Sequence, residues 1–283
     1  MAEEVKDNRE EQAREIAGRL LTDGNVDGVL ALLHIMGHVV PHLFTSREEL
    51  AHLNISGHYP VAGVAERLLR RWDNNGKIAV IARGCDERHL IELAKKKSVN
   101  LDRIKIIGLA CTVDEAKECH CVQPFPTEVE VGRSVGKVDY LDHFALGELM
   151  RMDIAERRKF WTQIFDRCIK CYGCRNVCPL CNCEDCRLEE ARWVRVGEIP
   201  PEYPSFHLIR AVHLADKCVG CFACERACPM GIPLGKLHQL IRDYLQSVYG
   251  YEAGHDPDER SPLHIDVGIG PEVLQGHGEG GSG

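Results

Sequence analysis

Residues 9–21, "REEQAREIAGRLL", space their apolar side chains as one face of a helix, and Asp23-Gly24 ends it. Residues 26–45, "VDGVLALLHIMGHVVPHLFT", are apolar and β-branched around Gly28 and Gly37 and predict one or two strands. The pattern turns helical again over 61–72, "VAGVAERLLRRW", with a break at Asn74-Asn75-Gly76. "KIAVIA" is a short continuous apolar run, "DERHLIELAKKK" is helical with Asp86 placed as its cap, and "DRIKIIGLA" is a second apolar run. Strand, helix and strand in that order make a βαβ unit whose two strands are parallel. Residues 122–150 carry two prolines, an alternating stretch and a possible helix, and read as a connector. Residues 153–167 and "IPLGKLHQLIRDYLQSVYG" are helical, and the Gly-rich end "GPEVLQGHGEGGSG" reads as disordered. The predicted fold class is α/β: a small parallel-sheet domain, followed by an α+β two-cluster ferredoxin-like domain with an insert. The boundaries follow the pattern changes: 1–121 for the α/β domain, 122–152 for the connector, 153–250 for the second domain and 251–283 for a partly disordered tail.

Charge narrows the function classes. The 283 residues carry a formal net charge of −8, which disfavours a nucleic-acid binder with its clustered basic face. Lys95-Lys96-Lys97 is a lone basic run and reads as a solvated helix end. No stretch approaches the roughly 18 apolar residues of a membrane span. The start "MAEEVKDNREEQARE" is acidic, unlike a secretory signal, so a cytoplasmic location is expected. Fifteen cysteines in such a chain argue against a disulfide framework, because the cytosol keeps thiols reduced. Eleven of them fall between Cys168 and Cys228, and metal explains that crowding best.

"CIKCYGCRNVCP" at 168–179 and "CVGCFACERACP" at 218–229 are two copies of Cys-x2-Cys-x2-Cys-x3-Cys-Pro. This is the bacterial ferredoxin run, in which three thiolates of one loop hold one cubane and the fourth serves the cubane of the other loop. The first 4Fe–4S cluster then takes Cys168, Cys171, Cys174 and Cys228, and the second takes Cys218, Cys221, Cys224 and Cys178. Small residues between the ligands, Gly173, Gly220 and Ala223, leave backbone amides free to donate to sulfur. Two zinc sites would instead show Cys pairs split by a longer loop. With every iron bound to thiolate, the clusters transfer electrons rather than bind substrate.

Seven cysteines remain. Cys181, Cys183 and Cys186 follow the first run at metal-ligand density, which suggests a further cluster or zinc against free structural thiols. Cys85 and Cys111 sit at the ends of the two βαβ strands, where parallel sheets bind ligands, and Cys119 and Cys121 follow shortly. Their convergence on a third cluster is weighed against buried packing thiols and against a reactive Cys85 at a helix N-terminus. His120 lies between two of these cysteines and reads as exposed more readily than as a ligand. His34, His38 and His42 recur every four residues, but their apolar context suggests strand, not a helical metal site.

"KIAVIARGCDERHLIELAKKKSVNLDRIKIIGLACT", "FDRCIKCYGCRNVCPLCNCEDC", "HLADKCVGCFACERACPMGIPL" and "YGYEAGHDP" resemble the beta-subunit family of deazaflavin-reducing hydrogenases and formate dehydrogenases. More narrowly, they are similar to its bacterial relatives encoded beside heterodisulfide-reductase-type proteins. The resemblance implies an iron–sulfur electron-transfer subunit of a cytoplasmic multi-subunit redox complex, with protein subunits as partners. It also implies a flavin, FAD or FMN, although no Gly-x-Gly-x-x-Gly fingerprint is present. The alternatives are a flavin-dependent oxidoreductase acting on a nicotinamide or deazaflavin cofactor, with its pocket near Gly84-Cys85-Asp86 and Gly108, and a zinc-stabilised interaction module.

Overall fold

The computed structural model describes residues 8–72, 75–138, 143–195 and 197–263. Helix α1 (Arg9–Thr22) leads into a hairpin of β1 (Gly28–Ile35) and β2 (His38–Phe44), then a short β3 (Leu53–Asn54) and α2 (Ala62–Arg71). β4 (Ile78–Ala82), α3 (Gly84–Lys95) and β5 (Ile104–Gly108) form the predicted βαβ unit, followed by α4 (Val113–Glu118). α5 (His143–Arg151), α6 (Ile154–Phe165), α7 (Gly173–Asn176), α8 (Ser205–His213), α9 (Ala223–Arg226) and α10 (Leu234–Tyr249) complete the order.

The sheet runs β2-β1-β4-β5, with β3 also paired to β1. β4 pairs in parallel with β5, from Ile78 opposite Ile104 to Ala82 opposite Gly108. β1 joins them in parallel, Leu30 opposite Val80, while β2 and β3 run antiparallel to it. The apolar stretch 26–45 is therefore two strands joined at Met36-Gly37, and its antiparallel pairing was not readable from an apolar run alone.

Alternation along the strands divides the core. Leu30, Leu32, Val80 and Ala82 face α2 and α3, against Ala65, Leu69, Leu90 and Leu93. Val29, Ala31, Ala79 and Ile81 face the other way, onto Ala13 and Ala17 of α1. Both sheet faces are thus covered, which explains why β4 is apolar at every position. The first of these cores does not stop at the α/β region, since Leu180, Leu214 and Val219 of the cysteine-rich region are buried in it.

Three details differ from the pattern read along the chain. α3 begins at Gly84, so Asp86 caps it from the third helical position, its Oδ2 accepting from the Arg83 amide at 3.1 Å. Cys85 consequently lies inside the first turn and does not precede it. The segment after Cys121 also does more than connect: Val131 is fully buried, bridges Leu109, and donates its amide to Gly108. In the tail, Tyr251 is buried with its hydroxyl donating to the Asp216 carbonyl at 3.0 Å, and the Gly254 amide donates to Glu92 Oε1 at 2.7 Å. The Gly-rich stretch 270–283 lies outside the described residues.

Candidate metal centres

The two cysteine runs fold alike, position for position. In each, the third residue has positive φ, Lys170 at 50° and Gly220 at 68°. So does the fifth, Tyr172 at 57° and Phe222 at 55°, and each opens a four-residue helix, α7 or α9. Left-handed backbone at non-glycine residues is uncommon, and here it turns the chain tightly around the thiols. The same turn aims amides at sulfur. The amides of Lys170 and Gly220 donate to Cys168 and Cys218, and that of Ala223 donates to Cys221. Ile232 donates to Cys228 Sγ at 3.4 Å. Such N–H···S bonds stabilise thiolate and any cluster it holds.

The thiols gather across the runs. Cys168 has as its charged neighbours Cys174, Cys228 and Cys171. Cys221 has Cys178, Cys224 and Cys218. The second foursome shares a closed cavity, lined by Cys178, Cys218, Cys221 and Cys224 together with Arg210 and His238. Burial pushes the Cys224 thiol up to about 12 and raises Cys168, Cys174 and Cys218. Cys178 is the exception: a hydrogen bond from the Cys181 thiol lowers it to about 6. Thiolate ligands must be deprotonated, so iron binding at these buried thiols would release protons. The fit to a thiolate-bound cluster has a further sign. Arg210 Nε and His238 Nδ1, both on residues lining the closed cavity, are buried without a hydrogen-bond partner. Such orphan donors are rare in native folds, and cluster sulfurs are acceptors.

A second gathering lies on the α/β region. Cys85 and Cys111 are buried, and Cys85 has Cys221, Cys121 and Cys111 among its charged neighbours. Cys111 has Cys121 and Cys119. α4 brings Cys119 round: Thr112 and Glu115 form a reciprocal capping box at its start, and Cys119 is its C-cap. Burial disfavours the Arg83 cation, yet Cys111, Asp86, Glu115 and Cys85 outweigh burial and hold its pKa above the ordinary value. His58, which the sequence did not single out, has Nε2 3.5 Å from Cys85 Sγ and Nδ1 2.9 Å from Arg226 Nη2. A guanidinium only donates, so Nδ1 accepts and the imidazole proton sits on Nε2, facing sulfur. Burial lowers the His58 pKa to about 3, which keeps the ring neutral. Arg226 belongs to the second cysteine run, so this chain ties the two gatherings together. His120 packs on the Phe222 ring with centroids 5.5 Å apart.

Cys181, Cys183 and Cys186 line an open cavity of about 1170 Å³ together with Cys178, Arg67, Arg175 and Lys96. Lys96 Nζ donates to the Leu180 carbonyl at 3.1 Å. Among the described residues no three His, Cys, Asp or Glu side chains are close enough to hold one metal ion. His34 lies on β1 with His38 and His42 on β2, and they are not gathered.

Residues 167–233 match the 4Fe-4S dicluster domain family. The beta subunit of F420-dependent formate dehydrogenase 1 from Methanococcus maripaludis is 27% identical over 351 aligned positions, covering 86% of this chain and 90% of that protein. The beta subunit of the F420-dependent formate dehydrogenase of Methanocaldococcus jannaschii is 43% identical over 96 residues, covering 34% of this chain and 25% of that one. Over most of its length the chain is similar to formate dehydrogenase beta subunits.

The dicluster match takes in both cysteine runs and the three insert cysteines, and leaves out Cys85, Cys111, Cys119 and Cys121. The expected flavin pocket at the strand ends is also differently built. A Cβ on Gly84 would lie 2.2 Å from the Phe125 carbonyl oxygen, and one on Gly108 only 1.8 Å from that of Glu128. Backbone 125–128 covers the strand ends, and the roomy cavity is lined by the cysteine insert instead.

Proposed function

We propose that this chain is the iron–sulfur relay of a cytoplasmic formate dehydrogenase-type complex, passing electrons between partner subunits. The observation that carries the reading is the crosswise gathering of the two cysteine runs, with Cys178 among the thiols of the second run and Cys168 beside Cys228. In this reading the first cradle is Cys168, Cys171, Cys174 and Cys228, and the second is Cys218, Cys221, Cys224 and Cys178. When bound, a 4Fe–4S cluster supplies one-electron transfer. The chain's own residues hold it by thiolate, direct amides at it and exclude water from it. Cys85, Cys111, Cys119 and Cys121 are assigned a third cluster, supported by their shared neighbourhood and by the His58 N–H aimed at Cys85. Cys181, Cys183 and Cys186, on the wall of the open cavity, are left to a further cluster.

The thiols of all fifteen cysteines are unpaired, which suits a reducing compartment. Among the described residues no helix is long and apolar enough to cross a membrane. A second reading, a flavin-dependent step on this chain, is favoured by the open cavity: Arg67, Lys96 and Arg175 line it beside Cys178, a setting for an anionic cofactor. An acid-released flavin band in anaerobically purified protein selects that reading.

The relay is tested by counting iron and acid-labile sulfide in the anaerobically purified chain and in Cys221→Ser. The parent is expected to hold about eight irons with two clusters or about twelve with three, and the variant about four fewer. A variant that keeps the parent's iron overturns the ligand set. Zinc without sulfide selects an interaction module.

A further inference from the structure

The two cradles are not electrically equivalent. Arg210 on α8 is 6% exposed and His238 on α10 is 3% exposed. Arg210 Nη1 lies 2.9 Å from His238 Nε2. The guanidinium is the donor, so the imidazole proton rests on Nδ1. Both side chains line the closed cavity with Cys178, Cys218, Cys221 and Cys224, and each keeps one buried donor without a partner, Arg210 Nε and His238 Nδ1.

We propose that Arg210, seated by His238, donates to the cluster of the second cradle and makes it the higher-potential member of the pair. This rests on the ligand reading above. One-electron reduction adds a negative charge to a centre already ringed by thiolates. A fixed cation in a low-dielectric cavity stabilises that charge, as do N–H donors to sulfur. The influence is lopsided: Arg210 and His238 line the cavity of all four second-cradle thiols, Cys178, Cys218, Cys221 and Cys224, and no thiol of the first cradle lines it. The buried thiols hold the guanidinium charged against its own burial. With both cradles loaded, an electron would pass from the cluster of the first, oxidised by one, to the cluster of the second, reduced by one.

The test is a dithionite titration of the full anaerobic chain, followed by electron paramagnetic resonance. Cys221→Ser assigns which midpoint belongs to the second cradle. Arg210→Met, which keeps the bulk and removes the charge, is expected to lower that midpoint by at least about 59 mV, a tenfold change in the reduced-to-oxidised ratio for one electron. The other midpoint moves less. Arg210→Lys restores part of the shift, and His238→Leu, which unseats the guanidinium, gives an intermediate one. A purely structural role for Arg210 predicts iron loss with unshifted midpoints in whatever remains. If Arg210→Met does not retain iron, Arg210→Lys and His238→Leu decide: an unmoved midpoint in both overturns the proposal. Equal shifts at both clusters also overturn it. A parent chain without iron and sulfide defeats the ligand reading itself, and this inference with it.

Discussion

Leu180 stands between the two cavities. It is 2% exposed, it lines the closed cavity beside Cys178 and the open one beside Lys96, and it packs in the core that α2 and α3 share with the cysteine region. Leu180→Ala removes that wall. Buried Leu→Ala changes cost about 2–5 kcal/mol, the upper end belonging to sites that leave a sealed void. Here the vacated space opens onto a solvent-filled cavity, so the cost belongs near the lower end, about 2–3 kcal/mol. That is roughly a 30- to 150-fold change in the unfolding equilibrium. The same change admits water to the second cradle. Anaerobic denaturant unfolding, followed by far-ultraviolet circular dichroism and by the visible absorbance of the clusters, reads both effects. A common midpoint shift in the two signals is expected, together with faster bleaching on exposure to air. A variant that bleaches early while its circular dichroism midpoint stays put would refute the shared core. A variant unchanged in both would refute the wall.

Two further predictions use other parts of the molecule. Cys85→Ser and Cys111→Ser should each lower iron content by about four per chain while the cysteine runs keep theirs; unchanged iron in both makes these thiols packing groups. His207 stacks on Phe165 at 3.9 Å, its Nδ1 has no partner, and burial lowers its pKa to about 4. The unfolded chain therefore takes up a proton on this side chain as pH falls below about 6.5 while the folded one does not, so stability drops across the window down to about 4. The share is about 1.4 kcal/mol per pH unit well inside that window. His207→Phe should flatten the acid side of the stability profile between pH 6.5 and 5 by about that slope, and a profile parallel to the parent's would refute the assignment.

What the sequence made legible was local. The two ferredoxin-like runs announce themselves because four ligands fall within eleven residues, and the βαβ unit because its apolar runs are short and bounded. The x3 spacing before each proline is what raises the proposed crosswise sharing of Cys178 and Cys228. What escaped were the long-range partners. His58 lies 27 positions from Cys85 and 168 from Arg226, and no periodicity links them. Arg210 and His238 belong to two amphipathic helices, where a polar residue ordinarily means solvent. The pocket expected near Gly84 and Gly108 assumed an open strand end, which the backbone of 125–128 covers. Nothing in "QPFPTEVEV" announced that its backbone would press onto Gly84 and Gly108.

The strap of residues 251–254 has one last implication. Tyr251 reaches Asp216 beside the second cysteine run, and Gly254 reaches Glu92 on α3, so a single short segment buckles the redox loops to the sheet. The cysteine-rich portion is therefore no portable cassette. Residues 167–233 cut out alone would expose Leu180, Leu214 and Val219, which the α/β region buries. In this chain the redox loops and the sheet are therefore one packing unit, held by the buckle as well as by the shared core.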